Sequence, residues 1–311
     1  MFDTNVKLSQ FSNYKIGGPA RYFFLAQDID GLRQAVERVK KNRLKTFVLG
    51  GGTNLLISDQ GFDGLVIKPD LKFIFQSGDL VAVGAGASMA QLLDFCRERG
   101  LAGLEWAGGL PGTVGGAIIC NAGAFKGEIK DSLVEAVSLD MAVNHPQLVR
   151  RNNAQCQFVY RDSVFKHGSA SGKEIVLFGA FALRPGDKRI IGEAIEEKIA
   201  WRKARQPLDY PNVGSIFKNV DWRKIPKKMQ EEFKSHLKTD PFPVLPAATL
   251  IDKAGLKGVV FGGALISQKH PNFIVNALGA TAADVRQLIN LVKGTVKHKF
   301  GVELEEEVIL V

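Results

Sequence analysis

The chain of 311 residues is 45% hydrophobic, which is enough for two or three units with their own cores, and no apolar run approaches the roughly 20 residues that span a membrane. Its net charge of +9 does not indicate a nucleic-acid-binding protein, because the 41 basic residues are spread along the chain and interleaved with 32 acidic ones. Three scattered cysteines predict neither a disulfide framework nor a metal site, and the polar N-terminus is unlike a signal peptide, so we expect a cytoplasmic protein without a membrane partner.

Helices and strands alternate irregularly along the chain, which is typical of an α+β protein. The sequence predicts a helix over 32–40 capped by Asp30, a second helix between Ser88 and Gly100, and a third that begins after Asp187. The last helix is predicted over 282–300, between Thr281 and Gly301. Strands are predicted at 46–49, 65–67, 73–75, 80–83, 134–141, 175–183, 273–275 and 302–311.

Two glycine-rich loops are the most informative feature of the sequence. The first follows the strand at 46–49 and reads GGGTNLL over 50–56; the second occupies 103–124 and includes GGLPGTVGGA at 108–117. Glycine removes the Cβ that would keep a ligand at a distance, and successive backbone N–H groups in such turns form concave anion sites. The two loops therefore predict one long ligand held at two points.

Two common phosphate-binding motifs do not account for these glycines. The first loop lacks the Lys-Ser/Thr pair of a P-loop. The stretch 84–89, GAGASM, imitates a dinucleotide fingerprint but has Met89 where close packing of helix on strand needs a third glycine. We therefore interpret 84–89 as an ordinary turn from a strand into a helix.

Further motifs follow the glycine loops in a fixed order. They are YRDS at 160–163, GSIFKN at 214–219, LIDKAGLKG at 250–258, HPNF at 270–273 and LEEEV at 304–308, with YKIGGPA at 14–20 preceding them all. This series resembles the UDP-N-acetylenolpyruvoylglucosamine reductases, the MurB family, over essentially the whole chain. The short spacing between Ser163 and Trp201 is similar to the compact form of the family, which lacks an extra substrate-covering loop.

The resemblance implies an α+β fold of the vanillyl-alcohol oxidase (PCMH) type, with two FAD-binding subdomains and a smaller α+β substrate-binding domain. We expect the subdomains at 1–70 and 71–205, the substrate-binding domain at 206–301, and the terminal strand at 302–311 returning near the first subdomain. FAD is expected without a covalent link, because the loops contain no histidine, and no cysteine except Cys120, to which it could be attached. The implied FAD-binding residues are Gly50, Gly51, Gly52, Thr53, Asn54, Leu55, Gly109, Pro111, Gly112, Thr113, Gly115, Gly116, Ala117, Asn121, Ala122, Gly123 and Arg202.

The implied reaction is the NADPH-dependent reduction of an enolpyruvyl ether on a UDP-sugar, a step of peptidoglycan precursor synthesis and thus of cell wall biogenesis, cell shape and cell division. Reduced FAD gives a hydride to the vinyl carbon. Arg161 holds the substrate carboxylate, Glu307 donates a hydrogen bond to it, and Ser215 protonates the α-carbon, with Lys218 a candidate to assist Ser215. The implied substrate-binding residues are Tyr160, Arg205, Lys218, Asn219 and His270, of which His270 is equally compatible with a structural role. The expected protein is a monomer with no metal and no nucleic-acid partner.

Two other hypotheses remain open at this point. An FAD-dependent oxidase or dehydrogenase of the same fold, acting on a small alcohol, would be favoured by a histidine in the glycine loops. A basic nucleic-acid-binding protein would need aromatic and basic residues interleaved on one surface, and it leaves both glycine loops unexplained.

Overall fold

The computed structural model describes residues 2–143, 145–169, 172–240 and 242–311, which form two compact units. The first unit contains Met1–Val6, Ala20–Gly51 and Asp63–Arg202, and the second contains Lys7–Pro19, Gly52–Phe62 and Lys203–Val311. The division at residues 70, 205 and 301 stays a prediction. Among the described helices, none is both long enough and apolar enough to cross a membrane.

The described residues form seven α-helices and twenty short or medium strands. The helices are α1 Ile29–Asn42, α2 Met89–Arg99, α3 Val114–Ile119, α4 Lys188–Arg205, α5 Lys227–Phe233, α6 Ala247–Lys253 and α7 Ala282–Phe300. The strands are β1 Asp3–Lys7, β2 Pro19–Ala26, β3 Thr46–Val48, β4 Leu55–Leu56, β5 Phe62–Pro69, β6 Ile74–Ser77, β7 Leu80–Gly84, β8 Leu101–Ala102, β9 Gly123–Ala124, β10 Gly127–Glu128, β11 Leu133–Asp140, β12 Gln147–Asn152, β13 Glu174–Ala182, β14 Arg184–Pro185, β15 Val220–Asp221, β16 Val244–Leu245, β17 Val260–Phe261, β18 Ala264–Ile266, β19 Ile274–Asn276 and β20 Ile309–Leu310.

Two sheets build the first unit. A four-stranded sheet has the order β1-β2-β5-β3, in which β3 runs parallel to β5 with Phe47 opposite Val66. A five-stranded antiparallel sheet has the order β12-β11-β13-β7-β6. Helix α1 packs Leu32 and Val36 into a core that includes Leu65 of β5 and Leu177 of β13, so the two sheets share apolar side chains.

Helix ends follow local capping rules, with one correction. Ser88 and Gly100 bound α2, and Thr281 and Gly301 bound α7, as the sequence predicts. The prediction of Asp30 as the cap of α1 is wrong. The cap is Asp28, whose Oδ1 accepts a hydrogen bond of 2.7 Å from the Gly31 N–H, while Asp30 lies inside the first turn.

The second unit has its core around α7. Val285, Leu288 and Val292 of α7 pack in one apolar cluster with Ile266 and Ile274 of the three-stranded sheet β17-β18-β19. Asp59 Oδ1 accepts a hydrogen bond of 2.8 Å from the Ala282 N–H at the start of α7. The motif at 14–20 is also structural, because Tyr14 is fully buried and its hydroxyl donates to the Ile274 carbonyl at 2.6 Å.

The terminal strand predicted over 302–311 is shorter than expected. Only Ile309–Leu310 forms a strand, which pairs in parallel with Leu55–Leu56. The preceding residues are extended but change partners, since Glu306 bridges to Phe217 before the chain reaches β4. Alternating apolar residues predict an extended backbone, but they do not indicate over how many residues it pairs with the same neighbouring strand.

Replacing Tyr14 by Phe removes this buried hydrogen bond without opening a cavity. We expect the Tyr14→Phe variant to lose about 1–3 kcal/mol of unfolding free energy, because the carbonyl of the buried Ile274 loses a hydrogen-bond donor. Urea denaturation followed by circular dichroism measures the loss. The exposed Tyr210 supplies the control, Tyr210→Phe, which should unfold like the wild type. Equal stability of all three proteins would contradict the structural role of Tyr14.

Candidate active site

The two glycine loops meet within the first unit. β3 ends at Val48, the Leu49 N–H still pairs with the Ile67 carbonyl at 2.8 Å, and the chain then turns at Gly50 and Gly51. A Cβ on Gly51 would lie 2.7 Å from the Gly112 Cα, a distance that real side chains essentially never show. Residue 51 therefore has to be glycine if the backbones of the two loops are to be in contact.

The second loop is held by the segment that follows β7. Ser88 and Thr113 form an antiparallel bridge, in which the Met89 N–H donates to the Gly112 carbonyl at 3.0 Å. The Gly115 N–H donates to the Ala85 carbonyl at 3.0 Å, and a Cβ on Gly115 would meet the Ala85 Cβ at 2.8 Å. Residues 84–89 thus turn from strand to helix as expected and also support the loop. Gly115 serves this packing.

The loops present backbone donors that the described residues do not use. Within the described part of the chain, the N–H groups of Gly51, Gly112 and Thr113 donate to no hydrogen-bond acceptor. Gly112 has a φ of +107° and Gly109 one of +70°, conformations that L side chains rarely adopt. Closely spaced backbone donors at or beside glycines fit an anionic group such as a diphosphate.

Arg202 adds a buried cation to the same unit. Its Nε donates to the Gly108 carbonyl at 2.8 Å, and its Nη2 is buried without a partner among the described residues. Burial and, to a smaller extent, the nearby Arg161 lower the pKa of Arg202. The guanidinium also lies 5.3 Å from the ring centre of Phe125. A buried guanidinium with an open donor favours a bound anion, which would satisfy both its charge and its N–H.

Arg161 lies in a tight turn beside Gly123. Its φ is +58°, its Nη2 donates to the Gly123 carbonyl at 2.7 Å, and its guanidinium lies 5.0 Å from the ring centre of Tyr160. Asn121 and Phe125 also have positive φ, at 41° and 49°. Such strained positions concentrate where function requires them, which supports a ligand site at this turn.

The side chain of Asn121 has a structural role. It is fully buried, and its amide donates to Glu128 Oε2 at 2.7 Å and to the Val159 carbonyl at 3.0 Å. Its Oδ1 accepts from the Lys130 N–H at 3.1 Å. Asn121 thus ties the turn with Arg161 to the β9–β10 hairpin, and a contact between its backbone and the cofactor stays a prediction. Ala117 and Ala122 are joined by a backbone hydrogen bond of 2.9 Å just before the hairpin.

Three other predicted residues come together in the second unit. The Glu307 N–H donates to the Ile216 carbonyl at 2.8 Å, which places the segment of Ser215 beside that of Glu307. The Asn54 amide donates to the Glu307 carbonyl at 3.0 Å. Two predicted catalytic residues and one predicted cofactor-binding residue are therefore on adjacent segments. Gly52 is required for a close approach nearby, since a Cβ there would lie 1.9 Å from the Phe11 carbonyl oxygen.

Asn272 fixes this arrangement, although the sequence reasoning gave it no role. It is 3% exposed, and its side chain accepts from the Phe217 N–H at 3.0 Å while donating to the Phe217 carbonyl at 2.8 Å. Its own carbonyl accepts from the Ile216 N–H at 2.8 Å. An asparagine side chain can pair with both the N–H and the C=O of one residue. Here the paired residue lies 55 positions away, so the sequence pattern does not indicate the contact.

The predicted substrate-binding residues of the second unit make different kinds of contact. Lys218 forms an ion pair of 2.5 Å with Glu305, and Asn219 Oδ1 accepts from the Ala247 N–H at 3.2 Å at the start of α6. Arg205 is exposed at the end of α4. Burial lowers the pKa of His270 to about 4, so its ring is neutral near pH 7, and its buried Nδ1 has no partner among the described residues.

The contact between the glycine loops can be tested by adding one methyl group. We expect Gly51→Ala to weaken FAD binding by at least about tenfold, because its Cβ forces the loops apart and displaces the open N–H groups. Titration of the apoprotein, followed by quenching of flavin fluorescence, measures the dissociation constant. Gly294→Ala in α7 is the control, since a Cβ there meets nothing within 4 Å. Unchanged affinity in Gly51→Ala would mean that the loop contact does not serve the cofactor.

Known proteins match both parts of the chain. Residues 20–142 match the family described as FAD binding domain, and residues 206–311 match the UDP-N-acetylenolpyruvoylglucosamine reductase, C-terminal domain. UDP-N-acetylenolpyruvoylglucosamine reductase 1 of Bacillus cereus is 37% identical over 308 residues, which cover 98% of this chain and 92% of that protein. The reductase of Lactobacillus delbrueckii subsp. bulgaricus is 36% identical over 305 residues, or 98% of this chain and 93% of that protein.

The fold agrees with these matches. The crystal structure of UDP-N-acetylenolpyruvylglucosamine reductase from Thermus caldophilus superposes with a TM-score of 0.77 at 28% identity, covering 100% of this chain and 98% of that one. The predicted fold class, α+β with an FAD-binding fold of the vanillyl-alcohol oxidase type, is confirmed. This chain belongs to the UDP-N-acetylenolpyruvoylglucosamine reductase family.

Proposed function

We propose that this chain reduces UDP-N-acetylenolpyruvoylglucosamine to UDP-N-acetylmuramate with NADPH, using FAD held without a covalent bond. One NADPH and one proton are consumed, and NADP⁺ is released. The observation that carries the proposal is the pairing of the Ser215 and Glu307 segments through the Ile216 carbonyl. Both segments lie in the part of the chain that matches the reductase C-terminal domain.

Three side chains carry the proposed chemistry. FAD, when bound, would supply the hydride that the vinyl carbon receives, with NADPH as the source of the electrons. Negative charge then develops on the α-carbon and spreads into the substrate carboxylate, which the planar guanidinium of Arg161 holds with two donors. Glu307 donates a hydrogen bond to the same carboxylate, and the Ser215 hydroxyl gives its proton to the α-carbon.

The remaining predicted residues serve binding. Arg202 and the open N–H groups of Gly51, Gly112 and Thr113 hold the FAD diphosphate, while Arg205, Lys218 and Asn219 bind the substrate diphosphate together with Tyr160. His270, being neutral, takes part through hydrogen bonding and not through charge. We further propose a cytoplasmic monomer that acts in peptidoglycan precursor synthesis, with its FAD-binding residues within 1–205 and its substrate-binding residues mainly within 206–301.

Anaerobic stopped-flow absorbance separates the two halves of the proposed reaction. NADPH should bleach the flavin of the purified protein, and the enolpyruvyl UDP-sugar should restore its colour while UDP-N-acetylmuramate forms. UDP-N-acetylglucosamine, which lacks the vinyl group, is the matched control and should leave the flavin bleached. A colourless protein that gains no flavin spectrum on incubation with FAD, or a bleached flavin that the substrate does not reoxidise, would refute the proposal.

The proposed role of Ser215 predicts a selective defect. Ser215→Ala should bleach with NADPH within about twofold of the wild-type rate, because that step needs no proton on the substrate. Reoxidation by substrate should slow by roughly 100- to 10,000-fold, the usual effect of losing a general acid. The exposed Ser235 gives the control variant Ser235→Ala. Equal slowing of both steps in Ser215→Ala would assign the serine a structural role.

The proposed role of Glu307 predicts a graded defect. Glutamine can still donate a hydrogen bond to the substrate carboxylate, whereas alanine cannot, so Glu307→Gln should retain more reoxidation activity than Glu307→Ala. Loss of a preorganised donor costs on the order of 100- to 1000-fold in turnover, which we expect for the alanine variant. Glu303→Gln, an exposed neighbour, is the control. Wild-type reoxidation in Glu307→Ala would remove this residue from the mechanism.

A further inference from the structure

Lys68 makes an unusual contact at the first glycine loop. It lies near the end of β5 between the buried residues Ile67 and Pro69, and its Nζ donates a hydrogen bond of 2.8 Å to the Gly50 carbonyl. In the described part of the chain no carboxylate forms an ion pair with Lys68. Its neighbour Asp70 pairs instead with Lys72, at 2.8 Å. The ammonium group is therefore directed at the loop.

Keeping a cation in this place is unfavourable in the protein alone. Burial lowers the pKa of Lys68, and the positive charge of Lys72 acts in the same direction, while Asp70 only partly opposes them. A partly buried ammonium without its own carboxylate loses hydration that one carbonyl does not replace. A negatively charged group bound near the loop would supply the missing interaction.

The hydrogen bond also sets the direction of a neighbouring donor. The Gly50 carbonyl and the Gly51 N–H belong to one planar trans peptide, in which C=O and N–H point in opposite directions. Fixing the carbonyl on Lys68 therefore aims the Gly51 N–H away from Lys68. That N–H donates to no described residue, and Gly51 is the residue whose backbone touches Gly112. Without the lysine, glycine at both positions would let this peptide rotate.

We propose that Lys68 is a positioning residue for the cofactor: it orients the Gly50–Gly51 peptide so that its N–H binds the FAD diphosphate, and it adds a positive charge behind that peptide. The inference rests on the proposed role of this loop in holding the diphosphate. Lys68 does not touch the flavin, and its effect is on cofactor affinity and not on the hydride or proton steps.

The test compares FAD affinity in Lys68→Met and Lys72→Met. Both changes remove one lysine charge near the end of β5, but Lys72 pairs with Asp70 and makes no contact with Gly50. Lys68→Met lets the Gly50–Gly51 peptide rotate and removes a positive charge near the loop, so it should raise the dissociation constant of FAD by roughly 10- to 100-fold. Lys72→Met should stay within about twofold of the wild type.

The salt dependence of FAD binding provides a readout that a merely structural role would not change. If the Lys68 charge acts on the diphosphate, raising ionic strength should weaken FAD binding less in Lys68→Met than in the wild type, and Lys68→Arg should restore part of the dependence. Circular dichroism of the apoproteins confirms that each variant is folded. If Lys68→Met does not fold, Lys68→Arg and Lys68→Gln provide the same comparison of retained and lost charge.

The outcomes separate this inference from the assignment of the loop. If Gly51→Ala weakens FAD binding and the neutral Lys68 variants match Lys72→Met, the inference on Lys68 is wrong while the loop assignment stands. If neither Gly51→Ala nor the neutral Lys68 variants change FAD affinity, the loop itself does not hold the diphosphate. A loss of affinity in Lys68→Met with an unchanged salt dependence would overturn the proposed contribution of the Lys68 charge, because the orientation of the Gly50–Gly51 peptide alone would then explain the loss.

Discussion

The close approach of Gly51 to Gly112 is the constraint on which the first unit depends. The two backbones come nearer than any side chain would permit. Flexible loops do not stay at such a distance unaided, because ordering them costs conformational entropy that the contact alone does not recover. Each loop is therefore held in place by backbone pairing with a neighbouring segment. The parallel pairing of β3 with β5 fixes one, and the bridge between Ser88 and Thr113 fixes the other.

The sheets can be understood as the frame of this contact. The Ala85 N–H donates to the Leu177 carbonyl at 2.8 Å, which ties the support of the second loop to β13. The Gly86 N–H donates to the Leu71 carbonyl at 3.0 Å, and Leu71 lies two residues after the end of β5. The frames of both loops are thus linked through backbone hydrogen bonds. A shift in the register of either sheet would change the spacing of the loops. The pairing of the strands therefore determines the distance between the two glycine loops.

The sequence predicted those features whose cause is local. Ser88 and Thr281 cap their helices through side-chain bonds to residues three positions on, and a glycine ends each helix, so the signal is contained in a short window. Asp28 and Asp30 offer the same chemistry two residues apart, and the sequence pattern does not distinguish between them. The glycine loops were predictable for another reason. A position that leaves no space for a Cβ requires glycine, and glycine can be read directly from the sequence.

The contacts that complete the candidate site are not local, and the sequence did not assign them. Lys68 acts on a carbonyl 18 residues before it, Asn272 on a peptide 55 residues before it, and Asn121 on a turn 38 residues after it. Lysine and asparagine are common surface residues, so nothing in their type distinguishes these three. Only the fold shows that these three contacts are made to backbone groups, and a backbone partner gives no complementary residue type that could be recognised in the sequence.

These backbone partners are found at two candidate sites, one in each unit. Around the glycine loops of the first unit the N–H groups of Gly51, Gly112 and Thr113 remain open, and the buried Nη2 of Arg202 is left without a partner among the described residues, at a cost of about 1–3 kcal/mol for a buried unpaired group. A bound anion would remove that cost, and its binding would then stabilise the first unit. Around Ser215 the opposite holds, because Asn272 and Glu307 already pair the peptide groups of Ile216 and Phe217. The segment of Ser215 is therefore positioned by the protein alone, whereas the open donors of the glycine loops are satisfied only when an anion is bound.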